Sequence, residues 1–244
     1  MIEPVVRLCG VTKRYGTTEV LTGIDLDLAA ARTTAVVGES GSGKSTLLQL
    51  VNGLVRPDLG SVEVLGSRVD AVDLLALRRR IGYAVQGASL FPHLDMQANV
   101  TLLARLAGWS TDRIRRRFGH LLELMELDPE LANRYPHELS GGQQQRTSLC
   151  RAMMLEPPLL LLDEPFSAVD PITRAGIHAH FERLAAAEPV SVVLVTHDLR
   201  EAVTLASELV ILRGGRVAQA GPCDAVLAAP ADEWIERLFR SQLG

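Results

Sequence analysis

The segment Gly38-Glu39-Ser40-Gly41-Ser42-Gly43-Lys44-Ser45-Thr46 limits what this chain can fold into more than any other. It spells G-x-x-x-x-G-K-[ST] between a short apolar run at 34–37 and a helical pattern at 45–54. Strand, glycine turn and helix in that order let successive backbone N–H groups curl inward at a helix N-terminus and form a nest for phosphate. The glycines supply the backbone freedom, Lys44 can reach the β- and γ-phosphates, and the Ser45 hydroxyl can bind Mg2+. Lysine is scarce here. Lys13 and Lys44 are the only two among 25 basic side chains, so one placed inside this loop is informative. The segment implies a nucleoside triphosphate ligand in an α/β fold, without specifying a reaction.

The rest of the pattern agrees with that fold. Ile24, Leu26 and Leu28 alternate with Asp25 and Asp27, and Val62 and Val64 alternate with Ser61 and Glu63, as half-buried strands do. The runs 159–162 and 190–195 are continuously apolar, which suits central parallel strands covered on both faces. From about 91 to 155 strand runs disappear, and Leu102, Leu103, Leu106, Ile114, Leu121, Leu122 and Leu124 recur at helical spacing. Gly214-Gly215 between 210–212 and 216–218 predicts a hairpin. The expected organisation is one domain over 1–244. Residues 1–86 and 159–225 would form a nucleotide-binding core, 87–158 a helical insertion and 226–244 a helical tail.

Composition narrows the function classes. Hydrophobic residues make up 47% and charged residues 22%, enough to bury one large core. A net charge of −4 excludes a broadly basic nucleic-acid binder, so no nucleic-acid partner is expected. Cys9, Cys150 and Cys223 are too few and too dispersed for a disulfide framework and fit a reducing compartment. Met1-Ile2-Glu3-Pro4 opens no signal-peptide pattern, and the apolar runs fall far short of the roughly 20 residues a membrane helix needs. A cytoplasmic chain is expected, tied to a membrane only through a partner.

The run 159–162 ends in Asp163-Glu164-Pro165. Carboxylates at the C-terminal edge of a parallel sheet face the crevice where ligands bind. Asp163 would bind Mg2+, and Glu164 would polarise the attacking water as general base.

Leu139-Ser140-Gly141-Gly142-Gln143-Gln144-Gln145-Arg146 closely resembles the signature motif of ATP-binding-cassette (ABC) ATPases, and further marks follow that family's order. The resemblance implies a P-loop NTPase (RecA-like) core with a mainly parallel sheet, an N-terminal antiparallel β subdomain and an inserted α-helical subdomain. It implies that Tyr15 stacks on adenine and that Gln86 senses Mg2+ and the transmembrane partner. His197 would contact the γ-phosphate. Asp170, in Ser167-Ala168-Val169-Asp170, would contact the opposite monomer. Ser140, Gly141, Gly142 and Gln143 would contact the nucleotide held by that monomer, so two chains would sandwich two ATP molecules head to tail. Ser140 with Gln143 also spells a capping box, S-x-x-Q, which would serve helix stability alone, while Gly141-Gly142 is a poor helix opening unless backbone must approach closely.

Among ABC proteins, the interval between Gln86 and Ser140 is too short for the coiled-coil arm of chromosome-maintenance relatives. What remains resembles the separate ATPase subunit of a prokaryotic importer. The stretches 77–83, 90–93, 103–109 and 165–174 are similar to osmoprotectant importers of the glycine betaine, carnitine and choline group. Gly87 departs from that group, and the segment after about Gly221 is expected to hold no regulatory domain. The resemblance implies ATP and Mg2+ as cofactors, integral permease subunits as partners and an extracytoplasmic solute-binding protein as an indirect one. It places the chain on the inner face of the cell membrane, paired with a copy of itself or a like subunit. Leu90 and Phe91 are candidates for permease docking, or else anchor the insertion's own core. An importer of another small solute, such as an amino acid, is the alternative, and a small-molecule kinase on the same nucleotide fold is a second. Arg78, Arg79 and Arg80, with Arg113, Arg115, Arg116 and Arg117, read as solvated helix faces, and His178 and His180 are rejected as a metal pair.

Overall fold

In the computed structural model, which describes residues 3–167 and 171–243, the chain divides into two compact units. One is formed by the residues up to Arg78 together with those from Ser191 on, the other by Arg79–Val190.

The first unit opens with β1 (Pro4–Tyr15) and β2 (Thr18–Ala29), paired antiparallel with Val11 opposite Ile24, Leu8 opposite Leu26 and Val6 opposite Leu28. The period-2 pattern therefore puts its apolar set on one face, and Leu8, Val11, Ile24 and Leu28 are all buried. Next come β3 (Thr33–Gly38) and α1 (Lys44–Val51), which bracket the glycine loop. The strand β4 (Leu59–Val64) lies on the other edge of β1 and turns into the short β5 (Ser67–Arg68), followed by α2 (Leu74–Arg79). Arg78 is not a solvated face. Its guanidinium donates to the Asn52 and Gly53 carbonyls at 3.1 and 2.7 Å, just past the C-terminal end of α1.

The second unit begins with β6 (Ile81–Ala84) and continues through α3 (Met96–Leu106), α4 (Thr111–Leu124) and α5 (Gly141–Met153), with 3-10 turns at Pro129–Asn133 and Pro136–Glu138. Met96, Val100, Ala104, Leu121, Leu122, Leu149 and Met153 bury the facing sides of these three helices. Then β7 (Leu159–Asp163) runs parallel to β6, and α6 (Pro171–Ala187) closes the unit. Leu159 to Leu162 have no accessible surface, as a strand covered on both faces requires. Gly82 faces Leu160 in the ladder, and a Cβ there would stand 2.5 Å from the Ala152 carbonyl, so α5 can approach β6 only because this position lacks a side chain. Arg117 also corrects the solvated-face expectation. It is buried, pairs with Glu188 at 2.5 Å and donates to the Met153 carbonyl at 2.8 Å.

The chain returns to the first unit as β8 (Ser191–Thr196), parallel to β3 with Val37 opposite Thr196. After α7 (Leu199–Leu205), β9 (Glu208–Arg213) pairs with the other edge of β3 and with β10 (Arg216–Pro222). Arg213 sits opposite Arg216, and Gly214 and Gly215 close the hairpin at φ 53° and 74°, as the tight turn demands. Last come α8 (Cys223–Ala228) and α9 (Glu233–Leu243). Val37, Leu199, Ala202, Ile211, Ile235 and Phe239 join α7 and α9 to this sheet in one apolar cluster. Among the described residues no helix is long and apolar enough to cross a membrane.

Candidate active site

In the first unit the parallel register of β3 and β8 brings Gly38 and His197 to the same strand edge. Gly38, Glu39, Ser40 and His197 line one cavity of about 170 Å3. The loop between them has the local geometry its sequence asks for. Gly41 and Gly43 adopt φ 79° and 100°, and a Cβ on Gly43 would stand 2.5 Å from Leu21 Cδ2. Gly38 is equally constrained, because a Cβ there would collide with the Leu212 carbonyl oxygen.

Lys44 is buried, and its ammonium donates to the Gly38 and Glu39 carbonyls at 2.7 and 2.9 Å, holding the loop in a closed ring. Ser45 is exposed beside it, and Thr46 is half-buried. The helix α1 starts on Gly43 with no side-chain cap, whereas α3, α4, α5 and α7 are capped by Asp95, Ser110, Ser140 and Asp198. Ser42 Oγ is buried with no hydrogen-bond partner among the described residues. An uncapped helix start, an orphaned hydroxyl and a positive side chain in one loop fit an anion of the polyphosphate type.

Tyr15 ends β1 and is 46% exposed, its hydroxyl donating to Gln49 Oε1 of α1 at 3.5 Å. Lys13 Nζ lies 5.5 Å from the ring centroid and pairs with Asp58 at 3.3 Å, so its charge is spent locally.

In the second unit Asp163 ends β7 and Glu164 follows in the left-handed region, at φ 46°. A non-glycine residue held there carries strain of roughly 1–3 kcal/mol, which the surroundings must offset. Ser167 does so in part: its N–H and Oγ both donate to the Glu164 carbonyl, at 3.3 and 3.0 Å. Gln86 Nε2 donates in turn to Ser167 Oγ at 3.3 Å. A chain of hydrogen bonds thus runs from Gln86, just beyond β6, to the backbone of Glu164. Tyr83 on β6 has its hydroxyl pushed up to about 12 by burial, and next by the Asp163 carboxylate.

Sequence reasoning missed how the stretch after Gln86 is held. Gly87, Ala88 and Ser89 all take positive φ, and Arg151 near the end of α5 donates to the Ser89 and Ala88 carbonyls at 2.9 and 3.2 Å. Asn99 on α3 accepts from the Phe91 N–H at 2.8 Å and donates back to the Phe91 carbonyl at 3.1 Å. The available signal was an asparagine inside the apolar helical pattern of 96–106, and the structure buries it fully. Phe91 remains 42% exposed, so it is not an anchor of the insertion's core.

The capping box is present at the start of α5. Ser140 N–H donates to Gln143 Oε1 at 2.8 Å and Gln143 N–H to Ser140 Oγ at 3.3 Å. Gly142 is buried against α6, while Gly141 is exposed and a Cβ there would meet nothing within 4 Å. His178 stacks edge-on against Phe166 and His180 pairs with Glu126, so the two rings point to different neighbours. Asp170 lies outside the described residues.

Comparison with known proteins gives this arrangement its context. Residues 21–167 match the ABC transporter family model. The chain is 42% identical over 236 residues to the glycine betaine/carnitine/choline transport ATP-binding protein OpuCA of Bacillus subtilis, covering 96% of this chain and 62% of that one. It is 44% identical over 218 residues to the Fe(3+) ions import ATP-binding protein FbpC of Pseudomonas fluorescens, covering 88% of this chain and 60% of that one. It thus spans about three fifths of the length of these two relatives. A dimeric ATP-binding cassette in a post-hydrolysis state, bound to ADP and Pi, superposes with a TM-score of 0.79 at 32% identity, covering 89% of this chain and 98% of that one. The expected P-loop core with its antiparallel N-terminal sheet is the fold these structures share. The chain belongs to the ABC transporter family.

Proposed function

We infer that this chain binds ATP with Mg2+ and hydrolyses it as the motor subunit of a membrane importer. The observation that carries the reading is the phosphate loop. Lys44 is buried inside it, Ser42 Oγ is orphaned, and α1 starts without a side-chain cap. The loop amides and Lys44 bind the β- and γ-phosphates, Tyr15 stacks on adenine, and His197 contacts the γ-phosphate. Ser45, Gln86 and Asp163 would hold Mg2+, which would neutralise charge on the phosphate oxygens. Glu164 takes the proton of the attacking water, and its strained backbone fixes where the carboxylate points. Release of inorganic phosphate, lost in Lys44→Ala, tests the reaction. A phosphorylated small molecule appearing instead would support the kinase reading.

The signature helix supports a dimeric mechanism. Gly141 is exposed and unconstrained by its own chain, as a residue meant for the nucleotide of a second subunit would be. ATP bridges two subunits, closure completes each site, and hydrolysis reopens it, so an isolated monomer turns over poorly. Permease subunits would hold the pair at the inner face of the membrane and receive cargo from an extracytoplasmic binding protein. Phe91, exposed beside Gln86 in sequence, is the docking candidate, and Phe91→Glu is expected to weaken copurification with the permease.

Quaternary-amine osmoprotectants are the cargo favoured by the OpuCA likeness over nearly the whole chain. The comparable identity to a ferric-ion importer favours a second reading, another small solute. Uptake of glycine betaine against ferric iron in cells lacking this subunit decides between them.

A further inference from the structure

His197 leaves β8 on a segment whose other hydrogen-bonding groups are almost all tied down locally. Thr196 Oγ1 donates to Glu201 at 3.1 Å and accepts from the Asp198 N–H at 3.0 Å, while Asp198 caps α7 by accepting from the Arg200 and Glu201 N–H groups. The first amide of α7 is the exception. Leu199 N–H donates 2.7 Å to Oε1 of Gln242, which comes from the last turn of α9. The same residue accepts at its backbone carbonyl from Arg200 Nε at 2.5 Å. Gln242 and Leu238 also form the wall of the cavity shared by the phosphate loop and His197. The apolar side of α9 is seated independently, through Ile235 and Phe239, in the cluster with Val37 and Leu199.

We propose that Gln242 is a positioning residue: through its double grip on Leu199 and Arg200 it sets where His197 stands at the edge of the phosphate loop. The inference rests on the ATPase reading for its consequence and on the geometry of α9 for its cause. Local sequence cannot align the β8–α7 junction by itself, because an N-cap side chain reaches the second or third helical amide and leaves the first to another acceptor. Here that acceptor is supplied by the C-terminal helix, which couples the seating of α9 to the geometry around the γ-phosphate contact.

The test uses the full chain with Gln242→Met, which keeps length and removes the acceptor, and Gln242→Glu, which restores it. The Leu199 amide should exchange with solvent about tenfold faster in the Met variant, and the His197 ring resonances should move. ATP turnover should fall about five- to tenfold in kcat with KM for ATP changed less than about twofold, and Gln242→Glu should recover most of it. Unaltered Leu199 exchange and His197 resonances in Gln242→Met overturn the proposal, whatever the turnover. So does an unaltered kcat in an active enzyme. A parent chain that binds no ATP and releases no phosphate overturns the ATPase reading instead, and the exchange and resonance measurements still decide the role of Gln242.

Discussion

A Cβ placed on Gly142 would stand 2.6 Å from Thr173 Cγ2, whereas one placed on Gly141 meets nothing within 4 Å among the described residues. The two adjacent glycines at the head of α5 are therefore glycines for different reasons. Gly142 lets α5 and α6 approach. Gly141 has no such duty among the described residues.

Alanine substitution separates them. Gly142→Ala should lower stability by about 1–3 kcal/mol, the usual cost of overpacking. Gly141→Ala should leave the melting temperature within a few degrees and, on the dimer reading proposed above, still cut ATP turnover at least about tenfold, because the added methyl would meet the nucleotide of a second subunit. Thermal unfolding and phosphate release on the same two preparations check both halves.

The buried pair of Arg117 and Glu188 gives a stability prediction. Both side chains are nearly inaccessible, and Arg117 pairs with the Glu188 carboxylate through Nη1 and donates to the Met153 carbonyl through Nη2. Removing one partner leaves the other charge buried, so Glu188→Ala should cost about 3–5 kcal/mol in chemical unfolding. A loss below about 1 kcal/mol would mean water reaches the guanidinium.

Glu126 bridges His180 and Arg183 of α6, at 2.9 and 2.6 Å. His180 first, then Arg183, hold its carboxyl down at about 2 against an ordinary 4.5. A carboxylate depressed on folding contributes stability above its unfolded pKa and loses it as pH falls through the folded one. The melting-temperature gap between the parent and Glu126→Gln should therefore shrink as pH falls from about 5 toward 2. A gap that widened on acidification would refute the assignment.

Thiol chemistry should discriminate among the three cysteines. Burial pushes Cys150 up to about 12 and Cys223, helped by Glu208 and Asp224, up to about 11, while Cys9 is exposed. Alkylation of the native chain near neutral pH should modify Cys9 alone, with Cys150 and Cys223 reacting only after denaturation. Peptide mass mapping reads the result.

Much of this was legible in residue order because the signals were local. The phosphate loop, the apolar run ending at Asp163, the Gly214-Gly215 hairpin and the Ser140–Gln143 box each depend on neighbours within a few residues. What stayed hidden depends on partners distant in the chain. The left-handed backbone at Glu164 is braced by Ser167 three residues on, but Ser167 is held in turn by Gln86, which lies far back in the chain. Arg117 reads as one more basic residue in a run until Glu188 appears beside it. The grip of Gln242 on Leu199 spans most of the C-terminal segment and leaves no periodic trace.

On the proposed mechanism, ATP joins two copies of this chain and Glu164 then releases them by hydrolysis. Light scattering on size-exclusion chromatography of Glu164→Gln, with and without ATP, measures it directly. The expected result is a monomer without nucleotide, a stable dimer with ATP and no phosphate release from that dimer. A Glu164→Gln chain that stays monomeric in saturating ATP, or that hydrolyses it at the parent rate, would contradict it.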